Sequence, residues 1–130
     1  MDIPEPLLRL LRIPDSSKVL SVVSPEGFPH SIVLGTIVVD DGFLYAGEAF
    51  MHHTVAYLEQ CPHAEFLVWK GRIGYSIRAV AEARITEGPV FEKVRSELSR
   101  MGMEAVAAWR FRPVEAVDES ATPSSGEKVL

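Results

Sequence analysis

The sequence has a single cysteine, Cys61, and so cannot close an internal disulfide. That suits a reducing compartment, and a cytoplasmic location is the expectation. No apolar run approaches the roughly 20 residues that a membrane-spanning helix needs. The opening Met-Asp-Ile-Pro-Glu-Pro is acidic and lacks the basic segment of a secretory signal. Basic residues are the minority, 13 Lys and Arg against 18 Asp and Glu, for a formal net charge of −5. This balance argues against general nucleic-acid binding, which relies on Lys and Arg to neutralise phosphates. Neither Cys-x-x-Cys nor His-x-x-x-His spacing occurs, so no metal site is expected. His52, His53, Cys61 and His63 are close in sequence, but adjacent histidines point apart on most backbones. Cys61 falls at the apolar end of a helical segment rather than at its start, where the dipole would not favour a thiolate; it reads as a packing residue. No internal repeat is present.

What remains is 130 residues, 47% hydrophobic and 24% charged, enough for one globular domain with a real core. Glu5–Arg12 reads as a short helix with Leu7, Leu8 and Leu11 on one face and Pro14 as its stop. Lys18–Ser24 reads as a strand, and Pro25–Pro29 as a turn. His30–Val39 reads as a second strand, apolar on both faces, which requires cover on both sides: barrel interior on one, a cofactor or second subunit on the other. Asp40-Asp41-Gly42 turns the chain into a return strand at Phe43–Gly47. Thr54–Cys61 reads as a helix closed by Pro62, with Glu65–Trp69 and Gly74–Thr86 as strands after it. A helix begins near Gly88-Pro89 and stops at Gly102, and a final strand covers Ala105–Arg112 with Trp109 and Phe111 inward. Arg78, on the wetter strand face, reads as a cross-strand ion-pair member near Glu82, a ligand role being the other reading. The domain is assigned to residues 1–117, and 118–130, rich in Ser, Pro, Glu and Thr, to a flexible tail.

The stretch Gly47–Pro62 carries the most information. It places His52, His53 and Thr54 at the start of a helix, where unpaired N–H groups and the positive end of the helix dipole favour an anion such as a phosphate. Thr54 as a plain N-cap in a surface loop is the alternative. Trp69-Lys70-Gly71-Arg72 either borders a bound ring or is a solvated turn.

The order strand, turn, strand, phosphate-type loop, helix, strand resembles the FMN-binding split barrel of the pyridoxamine 5′-phosphate oxidase-like superfamily. Gly27-Phe28-Pro29-His30 resembles the family's step into its second strand. His52-His53-Thr54 falls at the phosphate loop, where Lys or Arg is common at the place of His53. Leu58 and Pro62 match the helix end, and Tyr75-Ser76-Ile77-Arg78 matches the central strand. The resemblance implies a mainly β fold, an antiparallel Greek-key split β-barrel with short flanking α-helices. It implies FMN as cofactor, a flavin-dependent oxidoreductase step on an unidentified small molecule, and a homodimer with cofactor sites at the interface. It places Val33, Leu34 and Gly35 along the flavin ring and His52, His53 and Thr54 at its phosphate. Gly47, Glu48, Trp69 and Tyr75 complete the cofactor residues it implies; no catalytic residue is assigned. A barrel dimer that has lost flavin, or that takes another phosphate-bearing cofactor such as F420, is the alternative.

Overall fold

A computed structural model describes residues 2–130. Three helices and seven strands follow one another as α1 (Glu5–Arg12), β1 (Ser17–Val23), β2 (Pro29–Val33), β3 (Val38–Asp40), β4 (Phe43–Glu48), α2 (His52–Gln60), β5 (His63–Lys70), β6 (Ile73–Ile85), α3 (Pro89–Arg100) and β7 (Ala107–Asp118). The strands form one antiparallel sheet in the order β2-β1-β5-β6-β7-β4-β3.

The expected strand over His30–Val39 is two strands. β2 and β3 lie at opposite edges of the sheet, and Leu34–Ile37 carries the chain between them. The apolar character on both faces has its reason here. Leu34 and Ile37 turn inward and are buried, whereas Val33, at the end of β2, is 84% exposed. The crossing is anchored at one end by the Leu34 N–H, which donates to the Lys18 carbonyl at 3.0 Å. At the other, Thr36 Oγ1 donates to the Glu97 carboxylate on α3.

Elsewhere local signals decide the elements. Pro sits in the first turn of α1, Glu5 near its positive end and Arg9 and Arg12 near its negative end. Its buried stripe is Leu7, Leu10 and Leu11; Leu8 is only half-buried. The β3–β4 hairpin turns on Asp41 (φ 50°) and Gly42 (φ 79°), the two positive-φ residues that a tight two-residue turn demands. The main core lies inside the curled sheet, where the Phe66 and Phe111 rings meet edge-to-face at 4.9 Å. A smaller core joins α3 to β3, β4 and β7 through Val38, Tyr45, Phe91, Val94 and Leu98. A Cβ at Gly47 would run into Leu98 and Val94, so the glycine lets α3 lie directly on β4.

β7 runs six residues beyond the expected Arg112, and residues 118–130 are not a free tail. The polar composition concealed a set of backbone partners. The Val129 N–H donates to the Ala116 carbonyl at 2.8 Å, and the Ala116 N–H donates to the Leu130 carbonyl at 3.0 Å. The Ala121 N–H donates to the Arg72 carbonyl at 2.8 Å. Asp118 accepts from the Ser120 N–H and the Ser124 hydroxyl, and the Ser120 backbone contact chiefly holds its carboxyl below the usual carboxylate range. Val129 and Leu130 then pack on the main core. Truncation after Val117 is therefore expected to lower the melting temperature by roughly 5–10 °C, as the loss of a few kcal/mol does in a domain of this size. Thermal unfolding followed by circular dichroism checks it; an unchanged midpoint would show that these contacts add nothing.

Candidate functional site

The site is built where β4 hands over to α2. β4 ends at Glu48, whose carboxylate ties three strands together. Its Oε1 accepts from Arg84 Nε on β6 at 2.8 Å and from Trp109 Nε1 on β7 at 2.8 Å, while Oε2 accepts from Arg84 Nη2 at 2.9 Å. The fork-to-fork contact with Arg84 holds the Glu48 carboxyl below the usual carboxylate range, against the opposing effect of burial. Ala49–Met51 then leads into α2. Phe50 adopts φ 50° and is 78% exposed, an unusual conformation for a bulky residue.

α2 begins two residues earlier than expected, at His52. Met51 is its N-cap and no side chain caps it. Thr54 is therefore not the cap but the third helical residue. Its side chain is buried and its Oγ1 has no hydrogen-bond partner. His52 and His53 are exposed beside it. The first helical N–H groups point out of the same end, since no preceding turn can accept from them. A cleft of about 650 Å³ opens here, walled by Glu48, Phe50, Met51, His52, Val55 and Val106. On the other flank of the helix, His53 faces His30 of β2 with ring centroids 6.2 Å apart, and both rings contact Tyr57, at 6.0 and 5.3 Å. His30 thus joins the corner through a β2–α2 contact that sequence spacing does not show.

The other expected site residues lie elsewhere on the chain. Val33 and Trp69 belong to the outer face of the β2-β1-β5 part of the sheet, with Val19 and Leu67 between them. Leu34 and Tyr75 point into the main core. Gly35 lines a different cavity, between α1, β3 and α3. Gly47 is buried under α3. Within one chain, then, Glu48, His52, His53 and Thr54 form a corner that Val33 and Trp69 do not reach. Among the neighbouring cations, Lys70 pairs with Asp15 at 3.2 Å. Arg78 bridges Glu65 and Glu115 at 3.8 and 3.9 Å, so it is an ion-pair member with partners other than Glu82. Among the described residues no group of three or more His, Cys, Asp or Glu is arranged to hold a metal ion. No helix is long and apolar enough to cross a membrane.

Residues 14–124 match the family described as Pyridoxamine 5′-phosphate oxidase. The chain belongs to that family, and its fold is the split barrel of the pyridoxamine 5′-phosphate oxidase-like superfamily. Solved structures similar to it include an FMN-binding protein from Syntrophomonas wolfei subsp. wolfei, at 18% identity with a TM-score of 0.78, over 89% of this chain and 85% of that one. HupZ of Group A Streptococcus is 16% identical with a TM-score of 0.77, over 97% and 99% of the two chains. An F420 reductase is 16% identical with a TM-score of 0.71, over 88% and 98%. No curated protein matches the chain.

Glu48→Gln tests what holds the corner. Glutamine brings an amide N–H₂ to donors that need acceptors, so the variant is expected to lose about 1.5–3 kcal/mol at pH 7. A carboxylate whose folded-state pKa is depressed stabilises above its unfolded value and loses that contribution as pH falls through the folded value. The gap between wild type and variant should therefore shrink as pH falls from 7 towards about 3. Urea titrations at several pH values check this; a constant gap would show that the charge on Glu48 is immaterial.

Proposed function

We propose that this chain binds FMN through the corner at the start of α2, and serves a flavin-dependent oxidoreductase step of the pyridoxamine 5′-phosphate oxidase-like type. The observation that carries the reading is Thr54 Oγ1, a buried hydroxyl without a partner in the first turn of a helix whose N-terminal N–H groups are uncapped. An orphaned buried hydroxyl costs roughly 1–3 kcal/mol until something satisfies it. A phosphate at this helix start meets hydrogen-bond donors and the positive dipole end together. His52 and His53 would add positive charge from the surface, and the 650 Å³ cleft has the dimensions of a cofactor pocket. His52 would meet the flavin phosphate from the cleft wall, with Thr54 and His53 beside that wall in the same helical turn. When bound, the flavin supplies the electron chemistry at its N5 and C4a, while the chain binds, orients and excludes water.

Val33 and Trp69, on the outer sheet face, fit the same reading only if a second copy brings that face to the corner. Half-buried Val19, Leu67 and Trp69, with Val33 exposed at 84%, make that face apolar. A homodimer with the cofactor at its interface is accordingly part of the proposal, and it would bury on the order of 1,600 Å² or more. F420 is the second reading. It is favoured by the likeness to an F420 reductase.

The absorbance spectrum of the purified protein separates these readings. A yellow protein releasing FMN on heating supports the first; a colourless one restored by F420 and not by FMN supports the second. A protein that takes neither overturns both. Light scattering at micromolar concentration should give a dimer mass, and a clean monomer would remove the interface from the proposal.

Exchange of the two histidines checks the corner. His52→Gln/His53→Gln is expected to lower FMN affinity about tenfold, and His53→Lys to raise it. Flavin titrations decide; unchanged affinity in both variants would assign the phosphate charge to other residues.

A further inference from the structure

We propose that the cavity between α1, β3 and α3 is a second ligand site, separate from the α2 corner, that takes a compact dianion. The cavity measures about 290 Å³ and shares no lining residue with the α2 cleft. Arg12, Lys18, Lys93 and Arg100 all line it. None of the four belongs to any of the ion pairs formed among the described residues. In a chain with more acidic than basic groups, four unpaired cations around one small space are not what a random surface gives.

Lys18 supplies the site with fixed charge rather than with a free donor, since its three N–H groups are already bonded. It is only 4% exposed, and a buried ammonium without a carboxylate partner is costly. Its Nζ is held by the Ser16 hydroxyl at 2.8 Å, the Ser16 carbonyl at 3.0 Å and the Ile13 carbonyl at 3.3 Å, all neutral oxygens. Those bonds fix the charge in place but do not neutralise it, and burial lowers its pKa although Glu97 and Asp15 oppose that shift. The one carboxylate on the cavity wall is Glu97, which already accepts from Thr36. Arg12, Lys93 and Arg100 stand exposed around the opening and can reach an incoming anion.

This excess of positive charge in a space near the lower end of ligand-pocket volumes fits a small molecule with two negative charges close together. A phosphate and a short dicarboxylate share that chemistry. Such an anion would join α1, the Thr36 crossing and α3, so binding should also stabilise the fold.

The test is titration of the purified full chain with inorganic phosphate and, separately, malonate, with sodium chloride holding ionic strength constant. Binding is followed by calorimetry and by the melting temperature. A saturable rise in melting temperature with either dianion, absent with chloride alone, is expected. Lys93→Gln/Arg100→Gln changes only exposed side chains and should weaken the affinity at least tenfold, while His52→Gln/His53→Gln should leave it within twofold. Whichever of phosphate or malonate binds tenfold tighter identifies the charged group the site prefers. A non-saturating response, an equal effect of chloride, or full affinity in the Lys93/Arg100 variant would overturn the site. Loss of FMN affinity in that variant, with phosphate competing against FMN, would overturn its separateness. Because the two histidines and the two rim cations are varied independently, failure here leaves the reading of the α2 corner intact, and the reverse holds too.

Discussion

The structure depends on one crossing. Leu34–Ile37 joins the two outermost strands of the sheet, so the barrel is closed by chain where it is not closed by hydrogen bonds. An open antiparallel sheet has two edges that would otherwise move apart or recruit another strand. Here both edges belong to one twelve-residue stretch, Pro29–Asp40, and burial of Leu34 and Ile37 holds the stretch against the core. The Leu34–Lys18 backbone bond and the Thr36–Glu97 side-chain bond fix it to β1 and α3. The position of α1 follows, because its buried Leu7, Leu10 and Leu11 complete the core beside this crossing.

Much of this architecture was legible in the sequence where a local rule decided it. α1 has its expected bounds because Pro near its start and Pro14 after its end act within a few residues. The Asp-Asp-Gly turn was legible because a tight hairpin requires positive φ at two consecutive positions and few residue types accept it. The crossing was not legible. An apolar stretch that changes sheet edge looks the same in one dimension as a strand covered on both faces, and it is the pairing of β2 with β1 and of β3 with β4 that distinguishes them. The chain after Asp118 misled for a related reason. Its composition reports side-chain polarity, but it is held through backbone groups, Val129 and Leu130 to Ala116 and Ala121 to Arg72.

The candidate site divides along the same line. The helix start at His52–Thr54 was legible because its chemistry is local: uncapped N–H groups, imidazoles and a hydroxyl within one turn. His30 was matched only as part of a strand entry; its meeting with His53 depends on α2 folding across β1 and β2. Phe50 carried no signal at all, since a positive φ on a bulky residue is set by the path from Glu48 to α2 rather than by its own preference. Gly47 has a packing role that its place beside the loop does not announce: a Cβ there would meet Leu98 and Val94 of α3.

Glu48 explains why the corner can hold its geometry without a capping side chain on α2. The carboxylate is fixed on β4 by donors from β6 and β7, so the last strand residue before the loop cannot shift along the sheet. Three residues, Ala49–Met51, then set where α2 begins, and so short a link transmits the strand's position to the helix start. On the far side, the turn after α3 closes on the Leu98 carbonyl, which accepts from both the Met101 and Met103 N–H groups. Met101 lines the cationic cavity and Gly102 the α2 cleft. A tightly bonded turn therefore separates two ligand-sized spaces. The polar groups of each are supplied by different elements: Glu48 and the start of α2 on one side, Lys18 and the exposed face of α3 on the other. That division of labour lets either space be altered by substitution without rebuilding the other.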